Sequence, residues 1–228
     1  MAKKTATITT VAEAAKLDIV KPKEMVIKPL REAILAFSIK GSAPLLTARF
    51  SEKARIKLQT QMEAGQSSRS KKVRDPRDFV ADAEAAMHRM HKTNDPGVPC
   101  AAFRAAMISA CRTVGFKMTV AKLGLFVMSD GLSKEGTPLI KISGAHDISI
   151  MPVRNASGVV DLRARPIFAE WSAVVRVRFD LDLFGAEDVV NLMNRAGRQV
   201  GIGEGRPDSR MSAGLGFGTF DVVATGEE

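Results

Sequence analysis

Six glycines crowd the stretch between residues 201 and 220, at positions 201, 203, 205, 214, 216 and 218, with Arg206 and Arg210 between the two triplets. Glycine loses more conformational freedom on ordering than any other residue. A run this dense therefore predicts a backbone that needs positive φ or comes close to another molecule. The two arginines add charge-assisted donors suited to phosphate. Helical spacing precedes the loop at 186–200, and a strand pattern follows it at 217–223. The order is helix, glycine loop, strand. Dinucleotide-binding and P-loop elements need the reverse, because there the helix N-terminus must face the phosphate. Gly201, Gly203 and Gly205 match a GxGxG pattern, but the order of elements excludes that chemistry.

The loop's setting follows from composition. At 228 residues, with 45% hydrophobic residues, the chain can build one sizeable core. Mean hydropathy is −0.01, and no apolar run approaches the roughly 18 residues that would span a bilayer. The N-terminus starts basic but lacks the apolar run of a secretory signal. No membrane partner is expected. Two cysteines, Cys100 and Cys111, fall in one predicted helix about three turns apart, too far for a disulfide. Both are read as small buried residues of a protein in a reducing, cytoplasmic setting. The net charge of +9 favours polyanionic partners. Aromatic content is 5%, with no tyrosine and one tryptophan, so base stacking is not expected to dominate nucleic-acid contact.

Periodicity gives the elements. Pro22 and Pro29 interrupt the lead-in at 1–30. Leu35, Phe37 and Ile39 alternate along a strand over 33–40, which stops at Gly41 and Pro44. Residues 50–98 read as a basic insertion. It holds Arg69, Lys71, Lys72 and Arg74 in a loop, then a short helix over 77–91 marked by Phe79, Val80, Ala83, Met87 and Met90. A helix over 100–114 carries the stripe Phe103, Ala106, Met107, Ala110, Cys111 and Val114, with Arg104 and Arg112 off it. Short strands fill 122–153. Val175, Val177 and Phe179 alternate with Arg176, Arg178 and Asp180 on a strand over 173–180. The helix at 186–200 buries Val189, Leu192, Met193, Ala196 and Val200, with Glu187 and Asp188 in its first turn. The order predicts an α+β fold with a ferredoxin-like (RRM-like) βαββαβ core and a large basic insertion after the first strand.

Catalytic and metal signals are weak. His88 and His91 lie at i, i+3 on the predicted short helix, a spacing open to two ligands on one metal, but no third ligand is near. His146 and Asp147 have no nucleophile beside them, and no carboxylate pair or triad emerges. Neither a cofactor nor a metal is expected. Arg206 and Arg210 have two readings: phosphate contact, or internal anchorage to Glu204 or Asp208. Arg176 and Arg178 project from the sheet face opposite the core, where they either meet RNA or form a solvated surface.

Three segments, in order, resemble the RAMP superfamily, the backbone subunits of CRISPR effector complexes and their relatives. They are Ile34-Leu-Ala-Phe-Ser-Ile-Lys-Gly-Ser-Ala-Pro-Leu-Leu-Thr47, Val98-Pro-Cys-Ala-Ala-Phe-Arg-Ala-Ala-Met-Ile-Ser-Ala-Cys-Arg112, and the glycine-rich segment to Phe220. The second is similar to the family's Ile-Pro-Gly-Ser-Ser-Leu-Lys-Gly-Ala-Leu-Arg motif, with Cys100 and Ala101 in place of glycine and serine. The whole chain also looks like proteins carried by tailed phages, in which case the setting is the host cytoplasm.

The resemblance implies one RAMP-like domain over 31–228, with the glycine-rich loop at 201–216. It also implies side-by-side oligomers, or a filament, along single-stranded RNA or DNA. Arg104, Gly203, Gly205, Arg206, Arg210, Arg176, Arg178, Arg69, Lys71, Lys72 and Arg74 are the candidate nucleic-acid contacts. Some family members cut RNA with an aspartate in an early loop. Asp75 and Asp78 are the acids in a comparable place here, and their surroundings do not match well enough to transfer that activity. A non-catalytic binding protein leads. An endoribonuclease of RAMP type, or a phage assembly protein with a basic face, are the alternatives.

Overall fold

The computed structural model describes residues 27–49, 56, 77–154, 160–209 and 214–227. All elements below lie in the unit Arg31–Glu228. Strand β1 (Glu32–Gly41) buries Leu35, Phe37 and Ile39 and turns its other face outward, as alternation requires. It is one of two inner strands of a four-stranded antiparallel sheet ordered β11-β1-β10-β5. The partners are β10 (Ser172–Asp180), β11 (Phe220–Glu227) and β5 (Leu125–Met128). Register is set by burial: Leu35 faces Val177, Phe37 faces Val175, and a one-residue slip would turn these side chains to solvent.

Two helices cover one face of this sheet. Helix α2 (Cys100–Ala110) lies in the chain between β1 and β5, and α4 (Ala186–Arg195) between β10 and β11. Phe103 of α2 meets Phe220 of β11 edge-on at 5.8 Å, and Trp171 meets the same ring at 6.0 Å. Such pairs are worth about 0.5–1.5 kcal/mol beyond the area they bury. The Trp171 indole N–H donates to the Ala43 carbonyl at 2.9 Å, tying the start of β10 to the exit of β1.

Two smaller sheets complete the fold. One is ordered β3-β4-β7-β6, built from β3 (His88–Arg89), β4 (Pro96–Pro99), β6 (Gly131–Leu132) and β7 (Pro138–Lys141). The other is ordered β2-β9-β8, from β2 (Leu45–Leu46), β8 (Asp147–Arg154) and β9 (Val160–Phe168). The class is mixed α and β with antiparallel sheets and, among the described residues, four α-helices.

Several boundaries differ from expectation. The helix expected over 77–91 is α1 (Phe79–Ala85), and His88–Arg89 is strand instead. Asp78 fixes its start, since its Oδ1 accepts the Val80 and Ala81 amides at 3.0 and 3.1 Å. His88 and His91 are therefore not on one helix, and the two-ligand spacing lapses. The helix of 100–114 changes to a 3-10 turn over Cys111–Val114 and ends at Gly115 with φ 70°. That turn leaves Val114 exposed instead of on the stripe. The last turn of the 186–200 helix, Ala196–Val200, is π-helical. The final strand runs over Phe220–Glu227, not 217–223. Helix α3 (Met118–Gly124) and the long strand β9 were not anticipated.

Candidate nucleic-acid interface

The glycine loop is held by backbone. All six of its glycines have positive φ, as their density predicted. Gly203 shows why the side chain must be absent. Its φ is 78°, and a Cβ there would lie 2.4 Å from the Leu46 carbonyl oxygen. That closeness lets the Glu204 amide donate to Leu46 at 3.0 Å, beside β2. At the far end the Gly218 amide donates to Pro44 at 2.7 Å, and the Ile202 amide to Gly218 at 2.9 Å. The loop is thus stitched to the chain just after β1.

This fixes two grooves that share Arg206 and Gly203. The larger, about 510 Å³, runs between α2 and the loop and is lined by Arg104, Ser109, Lys122, Gly203, Arg206 and Asp208, among others. The smaller, about 300 Å³, lies on the other side, lined by Thr47, His88, Pro99, Ala102, Gly203 and Arg206 among others.

Charges in the grooves are arranged unevenly. Glu204 is held by Arg165 at 2.7 Å and Arg163 at 3.7 Å, both on β9. Asp208 receives Arg112 at 2.6 Å and the Ser109 hydroxyl. The bonds from Ser109 and then Arg112 hold the Asp208 carboxyl below its ordinary pKa. Arg206 instead donates to the Gly203 carbonyl at 3.2 Å. Arg206 makes no hydrogen bond to Glu204 or Asp208, which receive other arginines, although its charge also helps to lower the Asp208 carboxyl. Arg104 donates to the carbonyls of Leu125, at 2.7 Å, and Lys122, where α3 meets β5, and lies over the Phe126 ring at 5.0 Å. Among the described residues, neither Arg104 nor Arg206 lies within ion-pair distance of a carboxylate.

Arg176 and Arg178 are elsewhere, on the sheet face away from the helices. Arg176 bonds Asp130 at 2.6 Å; Arg178 lies 3.4 Å from Glu32 and over Phe126 at 5.1 Å. The structure therefore brings Arg104, Gly203 and Arg206 together, with Gly205 in the same loop, while Arg176 and Arg178 lie on the other sheet face and meet this group only where Arg178 shares the Phe126 ring with Arg104. Arg69, Lys71, Lys72, Arg74 and Arg210, with Asp75, lie outside the described residues. Sequence reading missed Lys122, which sits on the unanticipated α3, and Thr47, whose role depends on the loop folding over it. Burial pushes the Cys100 thiol up to about 11 and raises that of Cys111, so neither is a ready thiolate nucleophile. Asp78 is engaged as the α1 cap. Among the described residues no helix is long and apolar enough to cross a membrane.

No protein-family profile and no curated protein matches the sequence. Among solved structures, the chain is similar to a chain of the Type III-B Cmr-beta complex, determined by cryo-EM bound to cognate target RNA. The TM-score is 0.48 at 10% identity, over 86% of this chain and 61% of that one. This chain thus spans less than two thirds of that neighbour's length.

Proposed function

We propose that this protein binds single-stranded nucleic acid by its phosphate backbone, without cutting it. The observation that carries the reading is the larger groove, where Arg104, Lys122 and Arg206 converge beside a loop pinned at Glu204 and Gly218, and where Glu204 and Asp208 are matched by other arginines. Cations placed in this way attract phosphate with little regard to base sequence.

The sheet order β11-β1-β10-β5, with α2 in the β1-to-β5 crossover and α4 in the β10-to-β11 one, is the arrangement expected of a ferredoxin-like core and supports a single RAMP-like domain over 31–228. On this reading copies assemble side by side along the strand, as CRISPR backbone subunits do, and the basic segment at 69–77 extends the contact. Purified protein should bind unrelated single strands of equal length with similar affinity, falling steeply from low to physiological salt. Its mass should rise in discrete steps with strand length. Affinity that is flat with salt, or RNA cleavage by the purified protein, would overturn the reading.

A further inference from the structure

A third groove shares no lining residue with the two beside the glycine loop. It measures about 770 Å³ and runs along α4. Phe116, Leu183 and Phe184 give it an apolar lining, with the Phe116 and Phe184 rings 5.0 Å apart, and Val114, 49% exposed, lines it too. Apolar side chains grouped in the open mark a surface that another segment covers. The groove is acidic where α4 begins. Residues 180–188 hold Asp180, Asp182, Glu187 and Asp188 and no lysine or arginine. Arg31 takes Asp182, but among the described residues Asp180, Glu187 and Asp188 lie within ion-pair distance of no cation. Toward the end of α4, Arg198 is matched by Asp221 at 2.8 Å, while Arg195 donates to the Thr113 hydroxyl at 3.4 Å and meets no carboxylate. An occupant therefore needs apolar side chains, cations for one end and an acid for the other.

The sequence of the lead-in has that chemistry. Residues 16–28 carry four lysines and two acids, Asp18 and Glu24, among Leu17, Ile19, Val20, Met25 and Val26. Its last residues stand open. Arg31 is anchored at the start of β1, its carbonyl accepting the Leu181 amide at 2.9 Å. Just before it Ile27 is 83% and Leu30 65% exposed, and Pro29 holds Lys28 in an extended backbone. An arm that begins this exposed is placed to reach another molecule. We propose that the lead-in of one copy lies in the α4 groove of a second copy, with its lysines toward the Asp180–Asp188 end. Such an arm-into-groove contact is head-to-tail, so it passes from copy to copy instead of closing a symmetric pair. The inference deepens the assembly half of the proposed function, on which it rests, by naming the two surfaces that meet.

The test is sedimentation of the full chain without nucleic acid, in which mass should rise with protein concentration. Val114→Lys sets a cation and a longer side chain in the groove, and its half-exposed position should leave the melting temperature unchanged. Lys16→Glu with Lys21→Glu and Lys23→Glu reverses the arm. Each variant should need about tenfold more protein to associate, the loss expected from one buried apolar side chain or from several opposed charges. Mixed together, the two variants should form pairs and nothing larger, because the mixture offers one intact arm and one intact groove per pair.

Wild type that stays monomeric at every concentration overturns the inference, including the case in which cross-links join the arm to the groove of its own chain. Either variant associating as the wild type does, or a mixture that yields no pairs, overturns it as well. A short single-stranded oligonucleotide, added separately to the wild type, tells this failure from that of strand binding. Pairs from the mixture without oligonucleotide binding uphold the arm contact and remove the strand; oligonucleotide binding without pairs does the reverse.

Discussion

The groove beside the glycine loop and the open face of the main sheet each hold a pair of arginines, yet they are electrostatically unlike. On the sheet, Arg176 meets Asp130 and Arg178 lies by Glu32, so the charge of each is largely cancelled where it sits. In the groove the nearby acids are cancelled by cations from elsewhere, Arg165 and Arg163 on Glu204 and Arg112 on Asp208. Arg206 donates to the Gly203 carbonyl, and Arg104 reaches two backbone carbonyls and the Phe126 ring. Where a cation's own neighbours are neutral or already matched, its field remains available to an incoming anion. Counting arginines in the sequence gives the two surfaces equal weight; the partners of the acids separate them.

The sharpest way to break that contrast is to deform the loop. Gly203→Ala places a methyl group against the Leu46 carbonyl at positive φ, and should cost about 1–3 kcal/mol. At roughly 2–4 °C per kcal/mol for a chain of this size, the loss is visible in thermal melts. Oligonucleotide affinity measured below the melt should fall with it. Full affinity in a destabilised variant would mean that the loop is only a connector.

Next in size is Arg206→Ala combined with Lys122→Ala. Affinity should drop about tenfold for every sequence, and the salt slope should become shallower by roughly one unit per lost contact. Melting should be nearly unchanged. A lower melting temperature with an unchanged slope would identify Arg206 as an internal brace instead.

A smaller effect concerns pH. Burial, and then Arg49, lower the His88 pKa in the folded state, with Glu135 opposing them. Its contribution to stability is thus present above the unfolded value, near about 6.5, and is lost as pH falls toward the folded one. Wild type should lose stability relative to His88→Gln as pH falls through that window. Parallel melting curves for the two proteins would show that His88 does not titrate with folding.

The smallest effect is expected on the open face. Arg176→Ala with Arg178→Ala should change affinity less than about twofold, because exposed ion pairs hold little net energy and their charge is already matched. A loss as large as that of the groove variant would reverse the comparison.

Where the pattern was strong, the sequence was readable. Leu35-Phe37-Ile39 and Val175-Val177-Phe179 specify two central strands, and the stripe from Phe103 to Cys111 specifies α2. The positive φ of the loop glycines was also legible, since few other roles need that density. Helix α3 was not, because a seven-residue helix without a side-chain cap owes its stability to burying Ala121 and Gly124. Strand β9 alternates from Val160 to Phe168, yet Pro166 lies inside it and argues against a strand. Its place is tolerated because its carbonyl accepts the Thr47 amide at 3.3 Å, so the side that lacks an N–H faces the chain just past the end of β2, beyond the paired residues. The grooves themselves were beyond reach, since they depend on which arginine finds which acid across long stretches of chain.

That the loop is sewn to Pro44, Leu46 and the end of β1 also sets a schedule. The walls of both grooves come from residues near 47, near 100 and near 206, and the loop is clamped only when Gly218 reaches Pro44 and β11 pairs with β1. Contacts so distant along the chain close slowly and late. On the proposed reading, a chain whose β11 has not yet paired with β1 carries its basic segments with no formed site.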